Sequence, residues 1–170
     1  MPATRTRLDA QRWHWQHGPI EIVASAEGEV EAVAAAHEAA WQRLQPLLTM
    51  LVAELPLLRQ PVSAGVANPL RGAVARTMWS ACEPYAHDGF ITPMAAVAGS
   101  VAQALIGAYQ RPGIRRAWLN NGGDIALHLA PGAAVRVGVY GDLARRFRAD
   151  ASALALDGSF EVTADMPVRG

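Results

Sequence analysis

Apolar and polar residues alternate in two short segments near the start of the chain. Residues 12–16 and 20–24 follow this pattern on either side of His17-Gly18-Pro19, which predicts a β-hairpin with an irregular turn. The preceding residues 1–10 are mostly polar and show neither helical nor strand periodicity. We therefore expect the first regular elements to be the two strands of this hairpin, after a polar lead.

A helical pattern follows the hairpin. Apolar residues recur at three- and four-residue steps through residues 27–44, and an apolar stretch continues from residue 47 to 55. Because a proline inside a helix removes a hydrogen bond, Pro46 predicts a kink in one long helix. The next predicted helix is short, at residues 73–82, after a loop over residues 57–69.

A second long helix is predicted from Pro93 to about Tyr109. Thr92 suits the N-cap position, and proline suits the first helical position. One side of this helix carries only small residues: Ala95, Ala98, Gly99 and Ala102. Since glycine inside a helix costs about 1 kcal/mol relative to alanine, Gly99 predicts a close approach by a packed strand or by a flat ligand.

The segment Asn120-Asn121-Gly122-Gly123-Asp124 joins two apolar stretches, residues 117–119 and 125–129. Paired glycines allow positive φ and a close approach to the backbone. The amides and the carboxylate offer hydrogen-bonding groups, and Asp124 also offers a ligand for a metal ion. This composition is typical of a loop that approaches a phosphate, and equally of a plain hairpin turn. The pattern leaves both interpretations open.

The remaining strands are predicted towards the end of the chain. Residues 134–140 alternate, and residues 153–156 and 160–163 flank Asp157-Gly158, a strong hairpin signal. Runs of helices and runs of strands, rather than strict alternation, predict an α+β fold with an antiparallel sheet. The length of 170 residues suits a single domain over residues 1–170.

Composition narrows the classes of partner. The formal net charge is zero, so the basic excess typical of nucleic-acid-binding proteins is missing. The longest apolar run, residues 94–108, is too short to span a bilayer, and residues 1–30 show no secretory signal. We therefore expect a cytoplasmic protein without nucleic-acid or membrane partners.

A few residue types with reactive or metal-binding side chains need separate treatment. Cys82 is the only cysteine, which excludes an internal disulfide and a four-cysteine metal site; packing is the expected role and nucleophile the alternative. His14 and His17 are three positions apart in a strand and should face opposite sides. His37 begins a zincin-like motif, but Trp41 stands where the second histidine is required.

Residues 90–99 and 120–127 resemble an uncharacterised bacterial and archaeal family within the ApbE-like superfamily. Residues 12–19 and 54–59 resemble the same family, so the resemblance covers nearly the whole chain. The better-known members of the superfamily are FAD:protein FMN transferases, which use FAD and magnesium to attach FMN to a threonine of a target flavoprotein. Their Gly-Gly-Asp loop is matched by Gly122-Gly123-Asp124, and the strand that follows it by residues 136–139.

The resemblance implies a T-fold-like antiparallel sheet with long helices packed on one face. It also implies a small-molecule ligand, with FAD or FMN and magnesium as cofactors. Asp124 would bind the metal ion. The residues that would bind the cofactor are Thr92, Met94, Ala95, Gly99, Asn120, Asn121, Gly122 and Gly123.

The chain departs from the transferases at two places. Their Gly-x-Ala-Lys-Gly segment is replaced by residues 92–99, which lack the lysine, and their acidic, Ser/Thr-rich metal segment has no counterpart here. Two functions therefore stay open: a magnesium-dependent FMN-transferase-like enzyme, and a non-catalytic ligand-binding or assembly module. Relatives linked to methanopterin and one-carbon metabolism add a pterin as an alternative ligand.

The end of the chain predicts an incomplete domain. Members of the resembled family continue from a similar Val-Arg-Gly, here residues 168–170, into a Ser/Thr/Gly-rich segment and a final helix. Without those parts we expect an unpaired strand edge and an apolar sheet face. Both favour homo-oligomerisation or association with a partner.

Overall fold

The computed structural model describes residues 2–139 and 157–166. Its strands are β1 (Thr4–Arg7), β2 (Arg12–His17), β3 (Ile20–Gly28), β4 (Ile114–Asn121), β5 (Asp124–Leu129), β6 (Ala134–Val139) and β7 (Gly158–Thr163). Its α-helices are α1 (Val30–Ala53), α2 (Leu55–Leu58), α3 (Ala73–Cys82) and α4 (Val97–Ile106). The predicted α+β class with antiparallel strands is confirmed.

The chain forms two compact units, which divide after His128. The first contains a five-stranded sheet in the order β1-β2-β3-β4-β5, with all four helices in the connection between β3 and β4. The second contains β6 and β7, an antiparallel pair in which Val139 lies opposite Gly158. The predicted hairpin at residues 12–24 is confirmed as β2 and β3.

The helices of the first unit pack on one face of the sheet. Trp15 of β2 lies opposite Ile22 of β3, and Ile22 lies opposite Asn121 of β4, so the three side chains share a face. The Trp15 ring contacts the Trp41 ring of α1 at a centroid distance of 6.1 Å. The Asn121 amide bonds to the backbone of Ala98 in α4. The predicted packing of long helices on one face is therefore confirmed.

The prediction of a polar lead without regular structure is wrong. Residues 4–7 form β1, the edge strand of the sheet, with Arg5 opposite Trp15 and Arg7 opposite Trp13. Both arginines therefore share the face of the sheet that carries the two tryptophans. The segment Thr-Arg-Thr-Arg has no apolar residues, so its strand character depends on backbone pairing with β2.

The two long helices agree with prediction in extent but differ in detail. Helix α1 runs unbroken through Pro46 but begins at Val30, because Glu27 and Gly28 belong to β3. The predicted helix 93–109 consists of α4 flanked by two short 3-10 segments. Thr92 occupies the predicted N-cap position and Pro93 the first helical position, but the Thr92 side chain forms no capping hydrogen bond.

The predicted hairpin at Asp157-Gly158 lies partly outside the described residues, and the structure places Gly158 in a strand and not in a turn. Gly158 lies within β7 and pairs with Val139 of β6, and the Asp157 amide donates to the Val139 carbonyl at 3.0 Å. Residues 153–156, the other predicted strand of that hairpin, lie outside the described residues. The pairing that forms β7 is therefore with a strand more distant in the chain.

The core of the first unit lies between the helices and the sheet. Fully buried side chains come from every layer: Trp15, Ile22, Leu44, Met78, Leu105 and Leu119. Across residues 2–139 and 157–166, no helix combines the length and the apolar character needed to cross a membrane.

Candidate functional site

The loop between β4 and β5 is a two-residue hairpin turn. Gly122 and Gly123 have φ of 62° and 111°, and positive φ at both central positions is what a type I′ turn requires. A Cβ atom built at either glycine would find no neighbour within 4 Å. The hairpin interpretation is confirmed, and the backbone of the turn is open to an approaching molecule.

The two asparagines of the loop have structural roles. The Gly123 amide donates to the Asn120 side-chain oxygen at 2.9 Å, which closes the turn. The Asn121 side-chain amide is buried and donates to the Ala98 carbonyl at 3.0 Å. This bond ties the end of β4 to the first turn of α4.

Asp124 lies beside the backbone of Gly99. A Cβ atom on Gly99 would be 3.5 Å from Oδ2 of Asp124, so a neighbouring strand approaches the helix at this glycine, as the packing alternative predicts. A carboxylate beside the first turn of a helix is stabilised by the positive end of the helix dipole. The Asp124 side chain is exposed and forms no hydrogen bond or ion pair with any other residue that the structure describes.

The other predicted binding residues lie on the 3-10 segment before α4. The Thr92 carbonyl accepts a hydrogen bond from Sγ of Cys82 at 3.4 Å. Met94 packs against the core, whereas Ala95 is exposed. Within the described chain, no hydrogen bond joins Thr92, Met94 or Ala95 to the loop. The structure therefore brings the loop to Gly99 and leaves these three residues on a separate turn.

The number of possible ligands around Asp124 limits how a metal ion could bind there. No cluster of three or more His, Cys, Asp or Glu side chains that could hold a metal ion occurs in the two described ranges. Magnesium is commonly bound by one or two carboxylates, with waters and substrate phosphates completing its shell. Asp124 therefore fits a magnesium ion that arrives with a phosphate ligand, and does not fit an ion held by the protein alone.

Cys82 and the two histidines of β2 behave as expected for structural residues. The Cys82 side chain is buried, and this burial raises the pKa of its thiol, which disfavours the nucleophilic thiolate. Nε2 of His14 lies 2.9 Å from a carboxylate oxygen of Glu21, while His17 is buried. The predicted opposite orientations of His14 and His17 are confirmed.

Sequence reasoning missed a cavity of about 660 Å³ between the β1–β2 edge of the sheet and the first half of α1. Its lining includes Arg5, Arg7, Trp13, Trp15, His37 and Glu38. The sequence pattern places the arginines in a polar lead, and it places His37 on the periodic face of the long helix and in an incomplete zincin motif. The available signal is the Thr-Arg-Thr-Arg alternation, separated by five residues from Trp13-His14-Trp15.

His37 and Tyr109 form a buried polar pair beside this cavity. Nδ1 of His37 lies 2.8 Å from the Tyr109 hydroxyl. Burial lowers the pKa of His37 to about 4, and the charge of Arg7 acts in the same direction, while the Gln11 carbonyl opposes it. Burial also raises the pKa of Tyr109. Both side chains are therefore uncharged at neutral pH.

The two arginines of β1 lie against aromatic rings. Nη1 of Arg5 is 2.6 Å from a carboxylate oxygen of Glu38, and its guanidinium carbon is 5.2 Å from the centre of the Trp41 ring. The guanidinium of Arg7 lies 6.0 Å from the centre of the Trp13 ring. Cation–π contacts of this kind hold the two charges at the edge of the cavity.

A family model described as AbpE bacteria matches residues 5–170, nearly the whole chain, so the chain belongs to that family. No curated protein was found to match it. The family is distinct from the ApbE-like superfamily, and the identification based on residues 90–99 and 120–127 is therefore wrong. The Gly-Gly-Asp motif was misleading because paired glycines between two strands are also what a hairpin turn needs. The T-fold-like topology loses the support of that resemblance.

Proposed function

We propose that this member of the AbpE bacteria family binds a small ligand with hydroxyl or phosphate groups at loop 120–124 and the first turn of α4. The observation that carries the proposal is Asp124. It is an exposed carboxylate without a partner among the described residues, held beside Gly99 and next to the open Gly122-Gly123 turn. The asparagines have structural roles, whereas the oxygens of Asp124 keep their capacity to accept hydrogen bonds.

Electrostatics restricts how a phosphate can bind here. The carboxylate of Asp124 already lies at the start of α4, where a helix favours negative charge. A bare phosphate at the same place would be repelled by this carboxylate. A hydroxyl or amine donor avoids the repulsion, and a magnesium ion between carboxylate and phosphate removes it. The proposed ligand is therefore a hydroxyl-bearing molecule or a magnesium-bound phosphate.

The flat part of the ligand is a further element of the proposal. Ala98 and Gly99 in the first turn of α4 are half-buried and small, which leaves room for a planar ring beside this turn. FAD, FMN and a pterin are the ligands to test. Within loop 120–124 the only ionisable side chain is the carboxylate of Asp124. We therefore propose binding, with FMN-transferase-like catalysis as the alternative.

The experiment is a calorimetric titration of the chain with FMN, FAD and a pterin, each with and without magnesium. We expect magnesium-dependent binding that weakens about tenfold or more in Asp124→Asn, because a hydrogen bond or ion contact to a charged group is lost. Asp88→Asn, a change at an exposed aspartate on another turn, is the matched control. Unchanged binding and unchanged magnesium dependence in Asp124→Asn would leave Asp124 with only its structural role beside α4.

Turnover separates the two classes of function. A chain that transfers FMN to a threonine-containing target peptide is an enzyme, whereas binding without transfer supports a ligand-binding module. The Asp124→Asn variant should lose transfer and magnesium-dependent binding together if both use the same ion. Loss of transfer with full binding would show that the ion acts at a later step.

A further inference from the structure

We propose that the cavity between β1, β2 and α1 is a second binding site, for a small anion that carries a flat aromatic part. The site lies on another part of the sheet from loop 120–124 and does not depend on the function proposed there. Its volume of about 660 Å³ is in the usual range for small-molecule pockets. The chemistry of its lining defines the class of ligand.

His37, which lines this cavity, has a buried ring nitrogen without a well-formed hydrogen bond to the described residues. The buried Tyr109 hydroxyl has His37 Nδ1 as its partner, at 2.8 Å, and a buried hydroxyl needs an acceptor. We therefore place the proton of the neutral imidazole on Nε2. That nitrogen is buried and forms no hydrogen bond of good geometry with another described residue, while the Gln11 carbonyl lies near enough to the ring to raise the pKa of His37. Arg7 and Gln11, which both act on the pKa of His37, also line the cavity.

A second buried donor belongs to the same wall. Nε1 of Trp15 also lacks a hydrogen-bond partner in the described part of the chain, and the Trp15 side chain is 1% exposed. Its ring stands edge-on to the His37 ring, with centroids 6.2 Å apart. Buried hydrogen-bond donors are normally paired. The two donors of His37 and Trp15, in side chains that line one cavity, therefore indicate a bound molecule that supplies acceptor atoms.

The charges around the cavity select an anion. Two carboxylates in the wall are already paired with arginines: Glu38 with Arg5, and Glu27 with Arg116. Arg7 and Arg115 also line the cavity, and neither forms an ion pair with a described carboxylate. Nε and Nη2 of Arg7 donate to the Asp9 and Ala10 carbonyls, which leaves its remaining N–H groups for an anion. Arginine is the side chain best suited to bind a carboxylate or a phosphate through paired N–H groups.

The tryptophans select the flat part of the ligand. Trp13 and Trp15 both line the cavity, and Trp13 is only half-buried. Aromatic side chains favour offset stacking or edge-on contact with other rings. A planar group beside the tryptophans places its acidic substituent near Arg7 and the Nε2 proton of His37.

The test uses the full chain and three matched probes: 2-naphthoate, 2-naphthyl phosphate and the neutral 2-naphthamide. Isothermal titration calorimetry should show saturable binding of at least one anion with one site per chain. The amide should bind at least tenfold more weakly, because it cannot form the charged contacts. The stronger of the two anions identifies whether the site takes a carboxylate or a phosphate.

Variants locate the binding. We expect Arg7→Gln to weaken the anion at least tenfold, while Arg59→Gln, at an exposed arginine after α2, leaves it unchanged. His37→Phe should also weaken it, and Arg7→Gln stands as the test if His37→Phe fails to fold. Asp124→Asn should have no effect, which separates this site from the one proposed at the loop.

Three results would overturn the proposal. They are the absence of saturable binding by either anion, equal affinity for the amide, and binding that is insensitive to Arg7→Gln. Any of these would mean that ordered water satisfies the buried donors and that the cavity is not an anion site.

Discussion

Burial decides the chemistry of His37, the most perturbed histidine in the described chain. Its imidazole is 7% exposed, bonds to Tyr109 and lies close to the positive charge of Arg7. The loss of water around the ring lowers the pKa of His37 to about 4, because the charged form is no longer solvated. The same ring would have an ordinary pKa in the unfolded chain, so its protonation links pH to folding.

We predict that the free energy of unfolding falls as the pH is lowered from about 6.5 towards 4. In this window the unfolded state binds a proton at His37 before the folded state does, so acid favours unfolding. Urea denaturation at pH 7 and pH 5 measures the effect. The hydrogen bond from Arg5 lowers the pKa of the neighbouring Glu38 carboxyl.

The His37→Gln variant should show a smaller loss of stability between pH 7 and pH 5 than the original chain. The exposed His87 provides the control, since His87→Gln should leave the loss unchanged. An equal pH dependence in all three proteins would show that His37 does not carry the linkage.

Gly99 gives a second prediction at this scale. A Cβ atom there would lie at ordinary van der Waals distance from Asp124, so Gly99→Ala should be tolerated and add up to about 1 kcal/mol of helix stability. Gly99→Leu should push Asp124 aside and cost about 1–3 kcal/mol. Thermal unfolding of both variants is the measurement. If Gly99→Ala destabilises the protein as much as Gly99→Leu, the helix requires glycine at this position for a reason other than the contact with Asp124.

At the scale of elements, a single carboxylate connects the end of α1 to the start of α3. The Glu54 side chain accepts hydrogen bonds from the backbone amides of Arg71 and Gly72, each at 2.7 Å. The N-cap residue of α3 is Gly72, which has no side chain to satisfy the free amides of the helix start. A residue 18 positions earlier in the chain supplies the cap instead.

We predict that Glu54→Ala lowers the free energy of unfolding by about 1–2 kcal/mol, the usual value for loss of an N-cap. Glu54→Gln should lose less, because the amide oxygen still accepts a hydrogen bond but carries no charge. Urea denaturation at neutral pH is the measurement. The control is Glu31→Ala, at an exposed glutamate in the first turn of α1. An equal loss in the free energy of unfolding at both positions would contradict a special capping role for Glu54.

At the scale of the whole molecule, the two compact units differ in how they are stabilised. The first has a five-stranded sheet and the large buried core, with central strands β3 and β4. The second has a two-stranded sheet whose buried residues in the described ranges include Ala133 and Val162. A sheet of two strands has little stability of its own. Stability should therefore be uneven along the chain.

Hydrogen exchange followed by mass spectrometry tests this expectation. Peptides that cover β6 and β7 should exchange at lower denaturant concentrations than peptides that cover β3 and β4. The reason is that central strands exchange only when the larger core opens. Equal protection of all four strands would show that the described chain unfolds as one cooperative unit.

Association through an unpaired strand edge stays a prediction. The edge strand β1 carries Arg5 and Arg7, and charged side chains on an edge oppose pairing with a second copy. Sedimentation over a range of concentrations and of ionic strengths tests the point. Self-association that grows stronger with salt would indicate that these charges limit pairing at the edge.

The sequence by itself determined the elements whose signal is local. Helix α3, most of α1 and the hairpin of β2 and β3 agree with their predictions, and the turn at Gly122-Gly123 is one of the two interpretations that the sequence left open. Helical periodicity links residues three or four positions apart, and a hairpin turn depends on two residues in a row. The α+β class follows from the order of these elements, and patterns of this kind can be found in a single chain without knowledge of its contacts.

Only the tertiary structure decided the features that depend on distant residues. The bond between His37 and Tyr109 spans 72 positions, β1 becomes a strand through its pairing with β2, and Asp124 lies against a helix that begins much earlier in the chain. The cavity between β1, β2 and α1 exists because these three elements meet in the folded chain. Contacts between residues far apart in sequence leave no periodic pattern, because packing and backbone pairing select them only after the elements have formed.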